Sequence, residues 1–132
     1  MKKIIIILIC AIILCGCDKE EDVKKKENTG VNVNTKEDII KDQTVGDFEF
    51  TNTSMIEENG LTTITTSIKN NSNVAKNVPI FTIIVKDRGG SVIEETIGYV
   101  GGEIKAGETK QVTTSITSSL ADAYSIEYKI NQ

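Results

Sequence analysis

Hydrophobic and polar positions divide the chain into three stretches of different character. Residues 4–14 form an unbroken apolar run behind Lys2 and Lys3. From Asp18 to Thr44 charge dominates, as in Asp18-Lys19-Glu20-Glu21-Asp22 and Lys24-Lys25-Lys26-Glu27, and the few apolar residues keep no period. Beyond Val45 the pattern alternates with a period of two, the mark of half-buried strands. Phe48 and Phe50 alternate with Asp47, Glu49 and Thr51, and Thr62, Ile64, Thr66 and Ile68 share one face. Tyr124, Ile126, Tyr128 and Ile130 form another clean face. Val78 to Lys86 is apolar on both sides, with Phe81, Ile83 and Val85 against Ile80, Thr82 and Ile84, which predicts a central strand. Pro79 falls at its start, where a missing N–H does least harm.

Turn signals separate these runs: Asn59-Gly60 after Glu57-Glu58, Asn70-Asn71-Ser72-Asn73, Asp87-Arg88-Gly89-Gly90 and Lys105-Ala106-Gly107-Glu108-Thr109. Ser119-Leu120-Ala121-Asp122 predicts one helical turn capped by Ser119. Gly98, Gly101 and Gly102 read as a bulge or loop, because no helix start follows them to make a phosphate cradle. Tyr99 between them reads as a buried residue rather than an exposed contact. Six or seven strands and no amphipathic helix over residues 45–132 predict an all-β fold, an antiparallel Ig-like β-sandwich.

The first stretch is an address. Its apolar run is shorter than the roughly 20 residues a spanning helix needs, and a charged head precedes it, as in a secretory signal peptide. Leu14-Cys15-Gly16-Cys17 resembles the lipobox of bacterial lipoproteins. Cys10 and Cys15 follow the bulky Ile9 and Leu14, whereas Cys17 follows a glycine and opens onto polar sequence. The resemblance implies recognition of Leu14, Gly16 and Cys17 by a signal peptidase, cleavage after Gly16 and a diacylglyceryl group on Cys17. Acylation of the freed amine usually follows, with chains of the palmitate class. Each buried methylene contributes about 0.8 kcal/mol, and two chains anchor stably where one does not. The expected organisation is therefore a lipoprotein signal peptide at 1–16, a lipidated Cys17 with a disordered charged linker at 17–44, and a sandwich at 45–132. As a flexible chain, a 27-residue linker would average roughly 30 Å end to end.

Composition narrows the possible partners. The net charge of −4 becomes −6 once Lys2 and Lys3 leave with the signal peptide. A mildly acidic domain without a basic cluster is expected to bind no nucleic acid and to have no electrostatic grip on anionic lipid. After cleavage Cys17 is the one cysteine left and its sulfur is committed, so a disulfide, a thiol nucleophile and a cysteine metal site are excluded within the mature monomer.

Within the third stretch, a strand closing on Asn70-Asn71-Ser72 leads to the Asp87-Arg88-Gly89-Gly90 hairpin. It is followed by the Ile104-Lys105-Ala106-Gly107-Glu108-Thr109 turn. Together these motifs resemble the FxLYD-type Ig-like domains of small lipoproteins in low-GC Gram-positive bacteria. The naming motif departs from that pattern: Ile83, Val85 and Lys86 stand at the Phe, Leu and Tyr positions, and Asp87 alone is kept. The shared motifs are turn and core features and imply no catalytic residue. Tyr124, at the mouth of the last strand, resembles a tyrosine corner, whose hydroxyl bonds backbone upstream. Plain core burial is the alternative.

Candidate chemistry is sparse. The chain has no His, the commonest acid–base catalyst and transition-metal ligand. No Gly-x-Ser-x-Gly elbow, Ser-x-x-Lys pair or Gly-Lys-Ser/Thr phosphate loop occurs. Glu94 and Glu95 are strand neighbours and point to opposite faces, so they form no dyad. A calcium site at Asp87 or at Glu57 and Glu58 would need carboxylates spaced through a loop, which neither place offers. Runs such as Thr62-Thr63-Ile64-Thr65-Thr66 read as β-propensity on a half-exposed face rather than as a hydroxyl array.

The expected protein is thus a lipid-anchored, extracytoplasmic module at the cell membrane. It is expected to be no enzyme, to have no catalytic or metal site, and to need no small-molecule cofactor. Its sandwich is expected to bind an envelope protein or cell-wall component. A second reading makes it an accessory subunit of an envelope membrane complex. A third, from a different class, is a hydrolase with an unfamiliar site of carboxylates, Lys and Tyr.

Overall fold

The computed structural model describes residues 30–131. The lipobox residues Leu14, Gly16 and Cys17 and the charged residues 18–29 lie outside that range. The described chain is an antiparallel β-sandwich. Its strands are β1 (Val31–Asn34), β2 (Gln43–Val45), β3 (Phe48–Glu58), β4 (Leu61–Asn70), β5 (Lys76–Lys86), β6 (Val92–Ile104), β7 (Thr109–Ile116) and β8 (Ser125–Ile130), with a one-turn helix α1 (Glu37–Ile40) between β1 and β2. One sheet runs β1-β3-β4-β7, with β2 also on β3, and the other runs β6-β5-β8. The chain crosses between sheets after β4, β6 and β7, so β4 lies beside β7 and β5 beside β8, an Ig-like arrangement.

The alternation read from β3, β4, β5 and β8 is the alternation the sheets use. Phe50, Ile64, Ile68, Phe81, Ile83, Val85, Ile126 and Tyr128 all face the core. At its centre Phe50 stacks on Tyr128, with ring centroids 4.2 Å apart, and meets Phe81 edge-on at 5.0 Å. The β3–β4 hairpin turns on Asn59 and Gly60, both at positive φ, as a tight two-residue turn requires. At the next hairpin Asp87 receives the Ser91 N–H on its side chain at 2.9 Å and the Gly90 N–H on its carbonyl at 3.0 Å.

Asn70 explains the Asn-x-Ser motif. Its side chain is fully buried and donates to the carbonyls of Val74 (2.8 Å) and Ile104 (3.0 Å). Its Oδ1 accepts the Ser72 N–H (3.0 Å) and hydroxyl (2.7 Å). One amide thus closes the β4–β5 loop and ties it to the end of β6.

Several expectations change. Residues 31–44, read as the end of a disordered linker, are part of the sandwich: β1 and β2 pair with β3, and α1 sets Ile39 into the core. Asn34 and Lys36 donate to the Ala123 carbonyl at 3.0 and 2.6 Å, and Gln43 donates to that of Ile126 at 2.7 Å. This strap closes the gap between the edges of β3 and β8. Burying Ile39 supplies roughly 1.5–3 kcal/mol; a lone apolar residue used this way leaves no period to read. Ser119 caps no helix: residues 120–123 form a turn, with the Ala123 N–H on the Leu120 carbonyl, and the Ser119 hydroxyl bonds Glu57 instead.

The buried tyrosine hydroxyl belongs to Tyr128, not Tyr124. Tyr124 is half-buried at the sandwich end, its ring beneath Lys36 and Arg88. A bulge in β3 between Thr51 and Ser54, with Asn52 at φ 53°, turns Thr53 inward. There Thr53 Oγ1 lies 2.8 Å from Tyr128 Oη and 3.0 Å from Thr66 Oγ1, and Thr66 donates to the Thr51 carbonyl at 3.3 Å. Each hydroxyl has one hydrogen, which fixes the direction: Tyr128 donates to Thr53, Thr53 to Thr66, and Thr66 to the backbone. Burial raises the Tyr128 pKa above its ordinary 10.0, with the threonine hydrogen bonds acting the other way.

Candidate functional site

Phe81 determines what the three-stranded sheet shows to solvent. Its ring fills the space opposite Gly98 on β6, where any Cβ would stand inside the ring. Gly98 must therefore face inward. Strand alternation then sends Ile97 and Tyr99 outward, together with Ile93 and Glu95. Tyr99, expected to be buried, is 72 % exposed, and Ile97 is 51 % exposed. Gly101 and Gly102, at φ 93° and 131°, sit beside the register shift between Val78 and Ile80 and form the bulge expected there; Gly98 instead makes room for an aromatic ring.

Pairing extends this face across the sheet. Tyr99 lies opposite Ile80, Ile97 opposite Thr82, and Glu95 opposite Ile84. On the far side of β5, Thr82 pairs with Lys129 and Ile84 with Glu127. Along β6 and β5 the face carries Ile93, Ile97, Tyr99 and Ile80, interrupted by Glu95 and Thr82 and with Ile84 buried, and along β8 it is charged. Its charged rim is ordered: Lys86 holds Glu127, and Lys129 approaches the same carboxylate at 3.9 Å. The Lys86 hydrogen bond, aided by the charges of Lys86 and Lys129 and opposed by partial burial, holds the Glu127 carboxyl below the usual carboxylate range. Exposed aliphatic and aromatic residues thus lie beside a charged rim on one sheet face.

The other candidates from the sequence have structural duties or point apart. Glu94 turns inward and accepts the Ser118 hydroxyl at 3.3 Å, while Glu95 points out. Glu57 accepts the Ser119 hydroxyl at 3.0 Å, and Asp87 shapes its hairpin. Among the described residues no three His, Cys, Asp or Glu side chains gather as a metal site requires. Thr62 and Thr66 are buried, with Thr62 donating to the Ser118 carbonyl, so the threonine run splits between core and surface. A groove of about 260 Å³ beside β1 is lined by Val33, Lys36, Met55, Glu57, Thr62 and Leu120 among others.

No protein-family model and no curated protein matches the chain, so the FxLYD resemblance rests on the turn and core motifs of the sequence. Among solved structures, the chain is similar to a member of the DUF1425 family from Shewanella sp. pv-4. The identity is 14 % and the TM-score 0.47, over 69 % of this chain and 86 % of that one. A likeness this loose carries nothing about activity.

Proposed function

We propose that this chain is a lipid-anchored, extracytoplasmic module of the cell membrane whose sandwich, of the FxLYD-type Ig-like kind, binds a protein partner without catalysis. The supporting observation is the outward face of Ile80, Ile93, Ile97 and Tyr99 beside the Lys86–Glu127–Lys129 rim. The Leu14-Cys15-Gly16-Cys17 lipobox supports the anchor. A sheet face suits a folded protein surface, where a few aromatic and aliphatic contacts carry most of the affinity. Nothing favours the hydrolase reading: Lys36 and Glu57, which line the groove beside β1, are each held by a partner within the fold.

The test is a photo-crosslinking aromatic residue in place of Tyr99, in the full chain in its native membrane. One discrete crosslinked species is expected, and it should disappear with Ile97→Asp. No crosslink at residue 99, or the same species from a probe at Thr113 on the other sheet, would refute the assignment.

A further inference from the structure

The five-stranded sheet presents a second apolar patch, where Gly30 leads into β1. Val33 pairs with Ile56, and Glu58 pairs with both Val31 and Leu61. Directly paired residues share a face, and these four aliphatic side chains point outward, between 38 and 53 % exposed. Further along the same face the side chains are Thr63, Thr65, Ser67, Thr113 and Ser115. The apolar surface is thus confined to the end at which the chain enters β1.

Thirteen Cα–Cα steps separate Cys17 from Gly30. Whatever its conformation, that length of chain reaches no further than about 45 Å. Val23 is the one aliphatic residue between Asp18 and Thr29, so this stretch has little with which to cover the patch. We propose that Val31, Val33, Ile56 and Leu61 rest on the lipid surface, with the β3–β4 hairpin end of the sandwich toward the bilayer. The inference rests on the lipid-anchored reading above.

Four aliphatic side chains would bind a membrane poorly from solution. Anchoring makes the contact intramolecular, and a weak patch then operates at a high effective concentration. Glu58, exposed within the patch, limits the contact to the headgroup level. The charged rim and Tyr99 lie on the other sheet, which leaves that face free to meet a partner in the same membrane.

The test uses the full, lipidated chain in vesicles that carry acyl-chain quenchers. A single fluorophore is placed on Thr63→Cys, beside the patch, or on Ala106→Cys, by the Asn70 end of β4 and about 25 Å away. Quenching is expected at residue 63 and not at 106, and Val33→Ser/Ile56→Ser should abolish it while the protein still floats with the vesicles. Equal quenching at both sites, or none at 63 in a protein that floats, would overturn the proposal. So would concentration-dependent contact between labels at residue 63, which would make a second copy the occupant. A chain that fails to float and carries no lipid mass would instead defeat the anchor reading itself.

Discussion

The directed hydroxyl chain in the core makes a quantitative prediction. Thr53→Val is nearly isosteric but removes two hydrogen bonds and strands the Tyr128 O–H, buried with no acceptor. Two lost bonds at about 1 kcal/mol each and one orphaned donor should together cost about 3 kcal/mol. In a domain of this size that is a fall in Tm of about 15 °C. Tyr128→Phe removes one bond and strands no donor, because Thr53 still donates to Thr66; it should cost about 1 kcal/mol. The double variant loses both bonds but buries no unpaired O–H, so it should be no less stable than Thr53→Val alone. Tyr124→Phe is the control, since that hydroxyl has no bonded partner among the described residues; it should shift stability by less than about 0.5 kcal/mol. Urea and thermal unfolding of the chain from Asp18 onward measures all four. Tyr128→Phe as costly as Thr53→Val, or costs that simply add in the double variant, would refute the inferred direction of donation.

Removing the strap by starting the chain at Val45, or cutting Ile39 to Ala, should destabilise the fold. The point substitution should cost roughly 2–5 kcal/mol in urea unfolding; no loss would mean the strap is not part of the folded unit. Asn70→Ala should be among the most damaging polar substitutions, about 3 kcal/mol, since it removes four hydrogen bonds and takes their side-chain partner from the buried Ile104 carbonyl and the Ser72 amide. Unfolding at alkaline pH reads the Tyr128 shift. Above 10.0 the unfolded phenol loses its proton while the folded one keeps it, so stability falls as pH rises from there toward the raised folded-state pKa. Tyr128→Phe should flatten that fall.

What the sequence made legible follows from how each signal arises. Strands β3, β4, β5 and β8 are buried on one face or both, and burial writes itself as alternation. Asn59-Gly60 and Asp87-Arg88-Gly89-Gly90 mark hairpins because few other residues take the required backbone. The strap leaves no period in the sequence because its contribution is one buried side chain, Ile39, and three hydrogen bonds to backbone carbonyls, none of which needs a pattern. The β3 bulge at Asn52 and Thr53 was illegible for a related reason: it shifts register by local backbone geometry and surfaces only as a buried polar group. The exposure of Tyr99 is not legible in the sequence because alternation shows that Ile97 and Tyr99 share a face, not which face is inward. Gly98 decides that, and its role depends on Phe81, seventeen positions away in sequence and opposite it in the sheet.

The function proposed above depends on Cys17 holding this sandwich at a membrane. The most direct measurement is the intact mass of the full-length protein extracted from membranes, beside that of Cys17→Ala. The expected species is a chain beginning at Cys17 and carrying diacylglyceryl, with cleavage and lipid both lost in the variant. A wild-type chain left uncut, or cut but without lipid, would contradict it.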